Sequence, residues 1–88
     1  MSEEMGLDGL RCEEPATVTR LCNEGSIRRR LSDVGFTPGA VVRCVGESPF
    51  GDPRAYEIRG AVVAIRSVDA QSIRVIAVRK EEGLDGVE

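Results

Sequence analysis

The chain has 88 residues, of which 41% are hydrophobic and 31% charged, and its formal net charge is −3. This composition fits one small globular domain, and no apolar run approaches the ~20 residues that a membrane-spanning helix needs. Histidine is absent, which removes the commonest general base and the commonest transition-metal ligand. We therefore expect no catalytic residues, no metal site and no cofactor.

Charge divides the chain into three parts. Residues 1–14 carry five acids and one base (−4), and residues 79–88 carry four acids and two bases (−2). Residues 15–78 carry nine bases and six acids (+3). Because both ends are acidic, dotted with glycine and without periodicity, we expect a partly disordered N-terminal arm and an acidic C-terminal tail. Residues 15–78 are predicted to form the folded domain.

The three cysteines, Cys12, Cys22 and Cys44, form no CxxC pair. An odd number at wide spacing is not typical of a disulfide framework or of a zinc site. Cys12 and Cys22 would meet only if the N-terminal arm packed beside the first strand. The acidic N-terminus also lacks the basic and apolar regions of a secretory signal, so we expect a cytoplasmic protein that does not insert into a membrane.

The predicted elements are short and mostly strands. Residues 16–21 alternate weakly and are rich in β-branched side chains, which favours a first strand. A helix follows at about 24–34, with Ile27, Leu31 and Val34 on one apolar stripe. Further strands are predicted at 40–47, 54–59, 61–66 and 73–78, with a helical turn at about 68–72. This order predicts a mainly β fold, a small barrel of five to six short antiparallel strands.

The helix ends carry recognisable signals. Asn23 or Ser26 is expected to cap its start with a side-chain oxygen. Gly35 suits the left-handed position after a helix, and Phe36 is expected to fold back on Leu31.

The stretch Ser48 to Pro53 (SPFGDP) predicts a rigid turn between two strands. Gly51 is expected to adopt a positive φ, and Pro53 restricts the entry to the next strand. Phe50 has two interpretations: it packs beneath the barrel, or it stays exposed as an anchor for a partner.

A run of three arginines lies on the helix. Arg28 and Arg29 form either an ordinary solvated face or a docking patch for an acidic surface. Arg30 is expected to pair with Asp33 or Glu57.

Short motifs from the helix to the last strand resemble the FeoA family of ferrous-iron transport accessory proteins. The matching pieces are Arg30-Leu31, Gly35, Pro38-Gly39, Pro49, Gly51-Asp52-Pro53, Gly60, Ala64-Ile65-Arg66, Ala70 and Ile73. They occur in the family's order and spacing over Ser26 to Val75. Cys44 departs from the pattern, because the family tends to place an aliphatic residue there.

The resemblance implies an SH3-like barrel and a non-catalytic cytosolic protein that binds and modulates a FeoB-type GTPase transporter. The residues that we expect to contact this partner are Arg28, Arg29, Phe50, Asp52 and Arg54. Self-association through an exposed strand edge is a further expectation.

Two alternatives remain. The same type of domain occurs in iron-dependent repressors of the DtxR type, although only about 25 residues precede the match, which favours a free-standing protein. A nucleic-acid-binding barrel is the other alternative. It is disfavoured by the acidic ends and by the presence of only three aromatic residues, so we expect no nucleic-acid partner.

Overall fold

The computed structural model describes residues 4–78, and in this range the chain is mainly β. The strands are β1 (Glu4–Gly6), β2 (Pro15–Leu21), β3 (Val41–Glu47), β4 (Arg54–Ile58), β5 (Ala61–Ile65) and β6 (Ile73–Ala77). Helix α1 spans Gly25–Val34, the short α2 spans Ser67–Ala70, and a 3-10 helix spans Leu7–Gly9. The predicted mainly β class, the helix and the helical turn are confirmed, with boundaries shifted by a few residues. The predicted acidic tail at 79–88 lies outside the described residues.

All six strands belong to one antiparallel sheet in the order β1-β6-β2-β3-β4-β5. β3, β4 and β5 form two successive hairpins, in which Val42 lies opposite Ile58 and Tyr56 lies opposite Val63. β2 joins this meander to β6, and a register shift between Val18 and Arg20 bends the ladder. Such irregularities increase the local twist of a sheet, which lets these short strands surround a single core.

The core is built from the inward side of every long strand and from the helix. Alternation places Val42 and Cys44 of β3 inside, together with Tyr56 and Ile58 of β4, all at most 1% exposed. The other buried apolar residues are Leu7, Leu10, Ala16, Val18, Leu21, Leu31, Phe36, Ala40, Ile65, Ala70, Ile73 and Val75. The period-two pattern of the sequence therefore predicted the core face of these strands correctly.

The N-terminal segment is part of the fold, which corrects the prediction of a partly disordered arm over residues 1–14. From Glu4 onward this segment forms β1, which pairs with β6, and the 3-10 helix. Leu7 is 0% exposed and Leu10 is 1% exposed. The prediction failed because two leucines three residues apart are too short a pattern to distinguish a packed segment from an acidic tail.

A small polar network holds β1 in place. The Thr19 hydroxyl donates to Glu4 Oε2 at 2.7 Å, and Arg20 Nη2 donates to Glu4 Oε1 at 3.0 Å. Arg74 Nε lies 3.6 Å from the same carboxylate. These contacts, the Thr19 hydrogen bond first, lower the pKa of Glu4. Glu4 is one of the acidic residues that suggested a disordered arm, and its carboxylate is instead a partner for two arginines of the sheet.

The sequence predicted the C-terminal end of α1 correctly and its N-terminal cap incorrectly. At the C-terminus, Gly35 N donates to Ser32 O at 3.1 Å and Phe36 N donates to Leu31 O at 3.0 Å, which is the predicted Schellman pattern. At the N-terminus the predicted side-chain cap is wrong, since Glu24 occupies the cap position without a side-chain hydrogen bond. The buried Asn23 instead donates Nδ2 to the carbonyl of Asp69 at 3.0 Å, so its side chain ties the start of α1 to α2.

Candidate partner-binding surface

The β3–β4 turn is rigid, as the sequence predicted. Gly51 N donates to Ser48 O at 2.8 Å, which closes a four-residue turn with Pro49 and Phe50 at its centre. Ser48 N donates to Pro53 O at 3.1 Å and closes the base of the loop. Gly51 has φ 84°, a conformation that glycine adopts without a steric penalty. The side chain at the tip is therefore presented by a backbone with few alternatives.

Phe50 points away from the core. Its side chain is 94% exposed, so the interpretation in which it packs beneath the barrel is wrong, and its role as an anchor for a partner stays a prediction. Burying a phenylalanine stabilises a fold by ~1.5–3 kcal/mol, and Phe50 contributes nothing of this kind to the isolated domain. A large exposed aromatic ring on a rigid turn is typical of interface anchors, because little conformational entropy is lost when it is covered.

Asp52 has a defined role within the domain. Its Oδ1 accepts from the backbone N–H of Ser67 at 2.9 Å, and its Oδ2 accepts from the Ser67 hydroxyl at 3.1 Å. The carboxylate therefore caps α2 from a different part of the chain and connects the Phe50 turn to that helix. Both carboxylate oxygens accept hydrogen bonds within the domain. The fold therefore accounts for Asp52 without a partner, and its contact with a partner stays a prediction.

Arg54 also has a defined internal role. Its Nη1 donates to Asp8 O at 3.0 Å and its Nη2 donates to Leu10 O at 2.6 Å. The guanidinium lies 5.7 Å from the centre of the Tyr56 ring, and its side chain is only 14% exposed. Arg54 therefore fastens the N-terminal segment to β4 and presents little surface to a partner.

The arginines of α1 remain on the surface. Arg28, Arg29 and Arg30 are all exposed. Arg28 Nη1 donates to the carbonyl of Leu21 at 3.4 Å. Neither expected partner pairs with Arg30 in the described structure: Glu57 Oε1 accepts from Arg43 at 2.8 Å, across the β3–β4 ladder, and the ion pairs among residues 4–78 do not join Arg30 to Asp33. The helix thus offers a positively charged face.

A groove of about 350 Å³ separates α1 from β5. Ile27, Leu31 and Val34 line it from the helix. The rest of its lining is Val63, Ala64, Ile65, Arg30, Arg66 and Asp69. The lining of the groove is thus mostly apolar, with two arginines and one aspartate, and the groove was not identified from the sequence. The sequence signal for this groove was Ile27, an apolar residue on the helix stripe. In the structure its side chain stays 38% exposed.

Shared residues and contacts link the groove, the arginine face and the Phe50 turn. Arg30 belongs to both the arginine face and the groove, which Arg66 also lines. Ser67, the next residue, holds the Phe50 turn through Asp52. Strand β5 beside the groove is an edge of the sheet, and its Val62 is 63% exposed. The structure therefore connects three features that are far apart in sequence.

Two ionisable side chains of the core have raised pKa values. Burial raises the pKa of Tyr56 to about 12, and burial also raises the pKa of the Cys44 thiol.

Among residues 4–78, no group of three or more cysteine, aspartate or glutamate side chains could hold a metal ion. In the same range, no helix is long and apolar enough to cross a membrane.

Residues 5–77 match the FeoA domain family. The chain belongs to the FeoA family. A relative from Porphyromonas gingivalis, an Fe(2+) transport protein A/Fe(2+) transporter FeoB fusion protein, is 32% identical over 71 residues. That alignment covers 81% of this chain and 8% of the fusion protein, so the FeoA-like chain spans a small part of its relative.

Solved structures of FeoA proteins share the fold. The solution structure of FeoA from Chlorobium tepidum is 33% identical, with a TM-score of 0.82 over 90% of this chain and 75% of that one. Zinc-complexed FeoA from Stenotrophomonas maltophilia, described as a prokaryotic SH3 domain protein, is 29% identical, with a TM-score of 0.73 over 81% of this chain and 88% of that one. The predicted SH3-like fold is therefore confirmed.

A manganese-dependent transcriptional repressor also resembles the chain in structure. Its identity is 22% and its TM-score is 0.76, over 89% of this FeoA chain and 44% of the repressor. At this identity the likeness shows a shared fold and carries no functional argument.

Proposed function

We propose that the chain is a non-catalytic accessory protein of ferrous iron uptake that binds the cytosolic part of a FeoB-type GTPase transporter and modulates it. The observation that carries the proposal is the P. gingivalis relative, whose name joins transport protein A and FeoB in one polypeptide. Two proteins that are fused in one organism commonly work together as separate chains in another. The proposed site of action is the cytoplasm, where the GTPase domain of such a transporter lies.

The surface that we propose for this contact is centred on Phe50. Interfaces are commonly anchored by a few aromatic and arginine residues, with near-neutral contacts around them. Phe50, 94% exposed, provides the aromatic residue, while the exposed Arg28 and Arg29 of α1 provide positive charge. The charge favours an acidic partner surface and faster association. Asp52 and Arg54 support this surface by holding the turn and the N-terminal segment in place.

Co-purification with the cytosolic domain of the cognate transporter tests the proposal. We expect the wild-type chain to be retained and Phe50→Ser to bind roughly 30-fold more weakly, the loss expected for an anchor worth ~2 kcal/mol. The thermal midpoint of Phe50→Ser should stay unchanged, because its ring is exposed. Arg28→Ala/Arg29→Ala should mainly slow association, and this effect should weaken at high salt.

Val41→Thr is the matched control, since Val41 is 54% exposed at the far end of β3 and the substitution keeps its shape. If the transporter domain retains Val41→Thr but does not retain Phe50→Ser, the contact is assigned to the turn. If the wild-type chain is not retained at all, the proposed function is wrong. If it binds operator DNA in a low-salt gel shift instead, the repressor-like alternative replaces it.

A further inference from the structure

Cys12 and Cys44 lie side by side although 32 residues separate them in sequence. The two residues form an isolated parallel β-bridge, which Glu13 N stabilises by donating to Cys44 O at 2.8 Å. Their Sγ atoms are 2.9 Å apart. The sequence suggested instead that Cys12 could meet Cys22, which the structure leaves exposed at the end of β2.

The backbone geometry of this bridge is suitable for a covalent bond between the two sulfurs. Neighbouring strands are about 4.7–4.9 Å apart, and disulfides join residues whose Cα atoms are about 4.4–6.8 Å apart. The sulfurs need to approach by only about 0.9 Å to reach the ~2.05 Å of a disulfide bond. Side-chain rotation supplies this movement, so the strands can keep their positions.

The two thiols differ in access. Cys44 is 0% exposed and belongs to the core, whereas Cys12 is only partly buried. Arg54 Nη2 donates to Cys12 Sγ at 3.6 Å, so a positive charge lies beside this sulfur, where it can stabilise the hydroxide that leaves when the O–O bond breaks. A small oxidant can therefore reach Cys12 first, and Cys44 is positioned behind it as the resolving thiol.

We propose that Cys12 and Cys44 form a redox modification site that a hydroperoxide converts to an intramolecular disulfide. The Cys12 sulfur attacks one peroxide oxygen, the O–O bond breaks, and the products are a Cys12 sulfenic acid and one water. The Cys44 sulfur then attacks the Cys12 sulfur and forms the S–S bond, while the sulfenic oxygen leaves as a second water with the remaining thiol proton. Two thiols lose two hydrogens, and one hydrogen peroxide is reduced to two waters.

The disulfide would attach the N-terminal segment covalently to β3. In the reduced protein this segment is held by the side chains of Leu7 and Leu10 and by the two carbonyl hydrogen bonds from Arg54. Closing a loop between Cys12 and Cys44 restricts the unfolded chain, so the oxidised form should be the more stable one. This inference is independent of the transporter, and it can fail or hold without affecting the proposed function.

Titration of the full reduced chain with one equivalent of hydrogen peroxide under anaerobic conditions tests the proposal. Free thiols are expected to fall from three to one without adducts or dimers, and dithiothreitol should restore all three. Trypsin separates the cysteines, since they lie on the peptides Cys12–Arg20, Leu21–Arg28 and Cys44–Arg54. The first and third of these should be linked. The thermal midpoint of the oxidised chain should rise by roughly 10 °C.

Two cysteine variants make the result specific. Cys22→Ser retains the proposed pair, so its two thiols should both disappear, whereas Cys12→Ser should keep both of its thiols. Because Cys12 is only partly buried, the second variant should fold even if substitutions of Cys44 do not. The proposal is overturned if the native chain retains three thiols, if Cys22 enters the cross-link, if only intermolecular dimers form, or if Cys12 accumulates as sulfinic acid while Cys44 stays free.

Discussion

Substitution of Leu10 by alanine tests whether the N-terminal segment is a structural part of the barrel. Leu10 is 1% exposed and belongs to the core cluster. Removing a buried leucine side chain down to alanine costs ~2–5 kcal/mol, depending on how far the surroundings collapse into the cavity. A domain of the size described here is stable by roughly 4–11 kcal/mol. Leu10→Ala should therefore remove a large fraction of the total stability.

Urea unfolding followed by far-ultraviolet circular dichroism measures this loss. The midpoint concentration of urea should decrease with little change in the slope, and the thermal midpoint should decrease by at least about 10 °C. Val68→Ala is the matched control, because it also shortens an aliphatic side chain but Val68 is 63% exposed, so its stability should change by less than about 0.5 kcal/mol. A loss below about 1 kcal/mol for Leu10→Ala would contradict the packing of this segment and restore the disordered arm.

Three further outcomes follow from single contacts. Burial raises the pKa of Tyr56 to about 12, so the folded state keeps the phenol proton to a higher pH than the unfolded state does. The contribution of the neutral phenol to the free energy of unfolding is therefore complete below about pH 10 and is lost between about pH 10 and 12. Phenolate absorbance of this single tyrosine should show the delayed ionisation, and an ordinary titration would contradict its burial. Asp52→Ala removes both hydrogen bonds to Ser67 and should cost about 1 kcal/mol in urea unfolding, as loss of a helix cap does, whereas Asp52→Asn should recover part of it; equal stability of Asp52→Ala and wild type would refute the capping role. Gly35→Ala should lower the thermal midpoint by at least several degrees, because φ is 128° and a Cβ would lie 2.9 Å from Arg59 Cδ; recovery in the double variant with Arg59→Ala would identify the clash, and no recovery would assign the cost to φ.

Much of the fold could be predicted from local pattern. Period-two alternation identified the buried sides of β3 and β4, and Gly35 with Phe36 identified the end of α1 with its hydrogen bonds. The rigid turn around Phe50 was also predictable, since proline and glycine restrict the backbone by their own covalent structure. These features depend on residues close together in the chain, and for that reason a single sequence contains them.

Long-range contacts decided the rest. The sequence left Phe50 with two interpretations, because burial of a turn residue depends on whether another segment covers it, and none does in the described structure. Cys12 and Cys44 are 32 residues apart, and only the pairing of the N-terminal segment with β3 places their sulfurs 2.9 Å apart. Arg54 and Asp52 looked like surface charges until the tertiary structure showed their partners, the carbonyls of Asp8 and Leu10 and the start of α2. Local covalent preferences thus determined the helices, strands and turns. The burial of apolar surface between these elements, which no single segment contains, decided which charges, thiols and aromatic rings remain available for function.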